Sequence, residues 1–308
     1  MGEEMYDVIV VGAGPAGLTA ALTCVRAGLK VQVIGKVTGG QAAEAPLIEN
    51  YPGFKSITGM ELMKLFSEQV ESLGVSMLND EVTKIEQVNE VFEVKTSFSG
   101  RFKCRSVILA IGAEPKKLGV KGEEEFYGRG VSYCATCDGP LFKGKEVAVV
   151  GGGIPALNAA LYLSSLAKTV YLIHERSRFS GFKTLIDRVH ERSNIVKKLN
   201  TTVIEIGGKI FVEWVRIKNV KSGEEEEIKV SGVFIEVGKK VDSDFLKGFV
   251  ELDNKGQIVI DSLCRTSRIG VFAAGDATTI PYKQVIIAAG EGAKAAMSAY
   301  DYLRGTKH

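Results

Sequence analysis

Apolar positions along this chain fall into two alternating spacings. Short unbroken runs (Val8-Ile9-Val10-Val11, Val107-Ile108-Leu109-Ala110-Ile111, Val147-Ala148-Val149-Val150 and Val233-Phe234-Ile235) read as strands buried on both faces, as in a parallel sheet covered by helices. Between them the spacing lengthens to three and four residues. Helices are predicted over residues 18–27, closed by Gly28, and over 59–73 with Leu62, Leu65, Phe66 and Val70 on one face. Three more are predicted, from the second glycine turn to about 166, over 183–192 and over 285–303. Residues 30–34 and 169–173 read as the strands that follow two of these helices. Alternation over 75–111 and 201–237 reads as further strands. The second set is broken by Ser222-Gly223-Glu224-Glu225-Glu226-Glu227, read as a solvated turn. Strands alternating with helices place the chain in the α/β class.

Two of the buried strands run straight into glycine-rich turns. Gly12-Ala13-Gly14-Pro15-Ala16-Gly17 follows one and Gly151-Gly152-Gly153-Ile154-Pro155-Ala156 another, each opening a helix that leads to a further strand. In such a turn the first glycine permits the tight bend and the second lets the backbone approach a pyrophosphate. The third lets helix and strand pack closely. Free N–H groups at the helix start then face the phosphates. Two such units make a two-nucleotide protein. The acid expected after the second strand of the first unit is absent; Gly35-Lys36 stands there.

The most reactive stretch lies just before the second turn: Ser132-Tyr133-Cys134-Ala135-Thr136-Cys137-Asp138-Gly139. A Cys-x-x-Cys pair closes and reopens a small disulfide ring, and this spacing commonly lowers the pKa of one sulfur. Asp138 beside it is a candidate proton donor or acceptor. Half of a zinc site is the alternative, but it needs a second ligand pair, and the chain has no other Cys-x-x-Cys and three histidines, His174, His190 and His308. No metal is expected. Cys24, Cys104 and Cys264 stand singly and read as buried, inert thiols.

Composition adds limits. The chain has 308 residues, enough for two domains, and a net charge of +2, too balanced for a nucleic-acid or anionic-membrane partner. Met1-Gly2-Glu3-Glu4-Met5-Tyr6 lacks the basic flank and apolar core of a signal peptide. No apolar run reaches the length of a membrane span. A cytoplasmic location is expected. The charged, glycine-containing residues 116–129 read as a domain crossing.

With these motifs in order, joined by Gly39-Gly40-Gln41, Glu49-Asn50-Tyr51-Pro52-Gly53 and Gly275-Asp276, the chain resembles the low-molecular-weight thioredoxin reductases over nearly its whole length. The resemblance implies two Rossmann-like, three-layer ββα nucleotide-binding domains, the second inserted in the first. Residues 1–114 and 243–308 would bind FAD. Residues 115–242 would form an NAD(P)-binding-like domain carrying the cysteine pair. It also implies a homodimer, and hinges near residues 113–119 and 240–244 on which the inserted domain rotates. Gly12, Gly14, Pro15, Ala16 and Gly17 would cradle the FAD pyrophosphate. Gly35, Lys36, Gly40, Gln41, Asn50, Val82 and Gly112 would line the rest of the cofactor. Asp276, after Gly275, would bond the ribityl chain, with Gln284 and Val285 near the ring. Gly151, Gly153, His174 and Arg176 would serve NADPH or NADH. Electrons would pass from a donor to FAD, then to the Cys134–Cys137 disulfide, then to thioredoxin disulfide. Cys137 would face the flavin, Cys134 would attack the partner, and Asp138 would protonate the leaving thiolate.

The second nucleotide unit departs from that family. Ile154-Pro155 replaces a small polar residue followed by Ser or Thr, and His174-Glu175-Arg176 with Ser180 replaces an arginine-rich 2′-phosphate pocket. Each lost charged hydrogen bond is worth roughly 1.5–3 kcal/mol. A Glu after the second strand can instead hold a ribose 2′-OH, which favours NADH. Three donors therefore stand open: NADPH, NADH, or another reductant such as ferredoxin or a reduced deazaflavin. The resemblance implies thioredoxin as the partner, with a glutaredoxin-like protein as the alternative. A redox-sensing flavoprotein without turnover is the reading from another class.

Overall fold

The computed structural model describes residues 5–45 and 48–305; residues 1–4 and His308, weighed above for a leader and for zinc, lie outside them. The chain divides into two compact units, Met1–Glu114 with Lys240–His308, and Pro115–Lys239. The return crossing lies three residues before the expected 242/243. Val241 is buried in the first unit's core, and the Ser243 hydroxyl donates to the Gly256 carbonyl at 2.7 Å.

Among the described residues six α-helices form: α1 (Pro15–Arg26), α2 (Gly59–Glu71), α3 (Ala135–Asp138), α4 (Ile154–Ser164), α5 (Lys183–Glu191) and α6 (Val285–Arg304). Helix α1 starts three residues before the predicted position. Gly14 is its extended N-cap, and Pro15 takes the first turn, where its missing N–H has no intrahelical partner to lose. Thr58 and Glu61 start α2 with a reciprocal capping box.

In the first unit one sheet runs in the order Ser76–Asn79, Val31–Gly35, Met5–Val11, Arg101–Leu109, Val91–Thr96, Val82–Val88, with Val271–Ala273 also paired to Arg101–Leu109. The strands around Met5–Val11 are parallel, and the last three of the path antiparallel. Helices α1 and α6 cover one face through Leu18, Ala20, Ala295 and Ala299.

In the second unit a parallel sheet runs Ile195–Leu199, Thr169–His174, Glu146–Val150, Gly232–Ile235, Val131–Ser132. Helix α4 covers one face. The antiparallel sheet Thr201–Gly208, Val212–Asn219, Glu225–Lys229 covers the other through Val203, Val215 and Ile228. The chain leaves Glu146–Val150 toward one edge and returns as Gly232–Ile235 on its other side. Their C-terminal ends therefore form the crevice where this architecture takes ligands.

Two sequence expectations change. Glu225–Glu227, read as part of a turn, are strand residues. Their carboxylates pair with Lys218 at 3.2 Å, Lys198 at 2.7 Å and Arg216 at 3.5 Å. Residues 116–129, read as a crossing, fold into the second unit. Glu123 within them is 1% exposed and accepts from the N–H groups of Leu118 (2.8 Å), Gly119 (2.7 Å) and Val120 (3.4 Å).

Candidate active site

Cys134 and Cys137 are joined in a disulfide with their Cα atoms 5.3 Å apart. One helical turn achieves this. Cys134 is the extended N-cap of α3, and its carbonyl accepts from the N–H of Cys137 (3.2 Å) and of Asp138 (3.1 Å). Ser132 fixes the entry to the turn by accepting from the Cys134 N–H at 3.0 Å. Its hydroxyl also bonds the Asp138 carboxyl. Burial raises the Asp138 pKa above its ordinary value, and the Ser132 bond pulls it only partly back. A half-buried acid that holds its proton closer to neutrality suits proton delivery to a leaving thiolate. The other thiols are buried and hold their protons: burial pushes Cys24 and Cys104 up to about 12, and burial with the Glu291 carboxylate 3.0 Å away pushes Cys264 up further.

Residues expected around FAD gather at the start of α1. A Cβ on Gly12 would fall on the Ala110 carbonyl, and one on Gly17 on the Gly12 carbonyl; one on Gly14 would meet nothing closer than the Gly39 carbonyl at 4.0 Å. No side chain caps α1, so its first N–H groups remain for a ligand. Gly35 packs against Ala13, Gly40 against Gly14 and Gly275 against Ala16. The Asn50 amide donates to the Gln284 side chain at 2.8 Å, where Val285 opens α6. Lys36 pairs with Glu81 at 2.6 Å. Gln41 lies exposed on the 3-10 turn Gly40–Glu44, and Asp276 lies partly buried on the turn Gly275–Ala277. Val82 is buried in the sheet core with Val11 and Ile34, and Gly112 follows the strand Arg101–Leu109 with open space around it. This uncapped, side-chain-free cradle fits a dinucleotide pyrophosphate.

The second glycine turn is built alike but furnished differently. Gly153 is the N-cap of α4, and Pro155 in its first turn removes one N–H. Ile154 is 39% exposed at this point. The His174 ring fills the space a Cβ on Gly152 would need and stacks on Phe179, centroids 5.9 Å apart. Its Nε2 is buried without a hydrogen-bond partner, and burial lowers its pKa. The Ser180 N–H donates to the Gly152 carbonyl at 2.7 Å. Glu175 and Arg176 face each other at 3.7 Å, both largely exposed.

Two residues near the disulfide escaped the sequence reading. Glu123 accepts from the Tyr133 hydroxyl at 2.9 Å, next to Cys134. Glu236 follows the strand Gly232–Ile235 and sets a carboxylate oxygen 3.5 Å from the Ala135 N–H. An internal comparison could have found Glu236. The runs Val107–Gly112 and Val233–Gly238 share a pattern, in which Glu236 stands where the first run has Ala110. The fold repeats this: the Ala110 carbonyl blocks a Cβ at Gly12, and the Glu236 carbonyl blocks one at Gly151.

Comparison with known proteins agrees with this architecture. The family model described as pyridine nucleotide-disulphide oxidoreductase matches residues 6–296. A thioredoxin reductase of Treponema pallidum is 43% identical over 303 residues, 98% of each chain. A component of the alkyl hydroperoxide reductase of Pseudomonas putida is 39% identical over 98% of this chain, which spans 59% of that protein. The solved thioredoxin reductase of Streptococcus pyogenes superposes with a TM-score of 0.92 at 39% identity, covering 98% of this chain and 99% of that one. The chain belongs to the pyridine nucleotide-disulphide oxidoreductase family.

Proposed function

We propose that the chain is a thioredoxin-disulfide reductase. The observation that carries this is the closed Cys134–Cys137 pair on a single helical turn with the half-buried Asp138 attached to it. Family membership implies FAD and a pyridine nucleotide. Gly12, Gly14, Gly17, Gly275, Asp276 and the Asn50–Gln284 pair would hold FAD, which would supply a two-electron carrier between donor and disulfide.

The chain's own residues then do the exchange. In the dithiol, the Cys134 thiolate attacks one sulfur of the partner disulfide, forming a mixed disulfide and releasing a partner thiolate. Asp138 gives that thiolate a proton. The Cys137 thiol passes its proton to Asp138 and attacks Cys134; the ring closes, and the second partner sulfur leaves as a thiolate that takes that proton from Asp138. Two electrons and two protons reach the partner. Thiol release measured with thioredoxin disulfide and then with a glutaredoxin disulfide separates the two partner classes; a protein that turns over neither is a sensor.

For the donor we infer NADH over NADPH. Glu175 sets a carboxylate beside Arg176, where a 2′-phosphate would need cations. Anaerobic mixing with each nucleotide, followed by bleaching of the yellow cofactor, tests this. Bleaching by NADPH alone overturns the inference, and bleaching by neither points to another reductant. A homodimer, tested by sedimentation, and a cytoplasmic setting, where thiols cycle reduced, complete the reading.

A further inference from the structure

We infer that Glu236 is a positioning residue of the redox pair, whose carboxylate makes the Cys134–Cys137 couple a stronger reductant. The inference deepens the reading of this pair as the reducing group. Glu236 sits at the crevice end of Gly232–Ile235, anchored by its N–H to the Val150 carbonyl at 2.8 Å. Its carbonyl packs where a Cβ on Gly151 would fall, so the main chain lies directly against the glycine turn. Its Oε1 lies 3.5 Å from the N–H of Ala135, the residue after Cys134. That distance is long for a hydrogen bond, so the effect is chiefly that of charge.

Backbone N–H groups at the start of a helical turn stabilise a thiolate at the N-cap, which lowers its pKa. A carboxylate held at the same N–H opposes this. It raises the free energy of the Cys134 thiolate and leaves the disulfide unaffected. A couple whose reduced form is stabilised is oxidising; here the reduced form is destabilised, so the couple is more reducing. The half-reaction is disulfide plus two electrons and two protons to dithiol, with dithiothreitol as reductant.

The groups facing Glu236 are few. Lys239 on the same segment and the Ala135 N–H favour its charged form, while burial opposes it and raises its pKa. Cys137 and Asp138 lie on α3, and Cys134 is its N-cap. The turn opposite, Gly151 to Pro155, carries no charged side chain.

The test uses the full flavoprotein and its Glu236→Gln and Glu236→Ala variants. Each is equilibrated with dithiothreitol mixtures near pH 8.5, and thiols are trapped with maleimide and counted by mass. In parallel, the pH dependence of Cys134 alkylation is read in a Cys137→Ser background. Both variants are expected to shift the equilibrium constant toward the dithiol about tenfold, roughly 30 mV less reducing. The Cys134 pKa falls correspondingly. The difference closes near pH 6, where the thiols are protonated in every variant. Equal potentials and equal alkylation profiles in wild type and Glu236→Gln overturn the inference, even if Glu236→Ala differs, because Gln keeps the shape and the acceptor without the charge. The readout uses a small dithiol, so it is decided whether or not thioredoxin is the partner. Failure of the wild type to reduce thioredoxin sinks only the proposed function.

Discussion

Replacing Glu123 by Gln should loosen the second unit by a large and countable amount. Glu123 Oε1 accepts from the Leu118 N–H at 2.8 Å and the Tyr133 hydroxyl at 2.9 Å; Oε2 accepts from Gly119 at 2.7 Å and Val120 at 3.4 Å. A Gln keeps one oxygen for two of these donors and turns an NH2 toward the other two. Two charge-assisted bonds are lost at about 1.5–3 kcal/mol each, so about 3–6 kcal/mol in total. The side chain is 1% exposed, so solvent screening does not reduce this. At a urea slope of about 2 kcal/mol/M the midpoint falls by roughly 1.5–3 M. Trp214 is the chain's single tryptophan and lies on Val212–Asn219, so its fluorescence reports unfolding of this unit. Tyr133→Phe removes one bond to the carboxylate and should lower the midpoint by roughly 0.75–1.5 M. A Glu123→Gln midpoint within roughly 0.5 M of wild type would refute the reasoning that this carboxylate ties residues 118–120 to the residue beside Cys134.

Asp138→Asn should lower thioredoxin turnover about 10²–10⁴-fold yet stabilise the protein at neutral pH. Burial raises the folded pKa of Asp138, so its protonated form favours folding below the unfolded pKa and that advantage is lost as pH rises through the folded one. Unfolding midpoints against pH should converge for the two proteins at low pH and separate above it; parallel curves contradict this. Gly17→Ala, whose Cβ falls on the Gly12 carbonyl, should abolish co-purifying FAD absorbance; a fully yellow variant counts against the cradle. Glu175→Arg should lower the KM for NADPH about tenfold by supplying a cation in place of an anion. An unchanged KM would mean that Glu175 points away from the nucleotide.

The glycine turns and buried strands were legible because a βαβ unit writes itself locally: an apolar run, glycines at fixed offsets, then helical spacing. Buried carboxylates write no such signal. Glu123 lies in a run of charges that looks solvated, yet it is buried, with the N–H groups of residues 118–120 and the Tyr133 hydroxyl on its carboxylate. Glu225–Glu227 read as a turn because acids disfavour strands; tertiary pairing with Lys198, Arg216 and Lys218 overrides that preference. His174, expected at a nucleotide phosphate, has its ring placed by Gly152 and Phe179, contacts that no spacing announces.

Cys134 and Cys137 are proposed to carry electrons to a protein disulfide. The most direct measurement is to mix the reduced Cys137→Ser variant with thioredoxin disulfide and map the covalent product by mass. The expected product is a one-to-one mixed disulfide at Cys134, which Cys134→Ser cannot form. An adduct at another cysteine, or none while the wild type turns over, would contradict it.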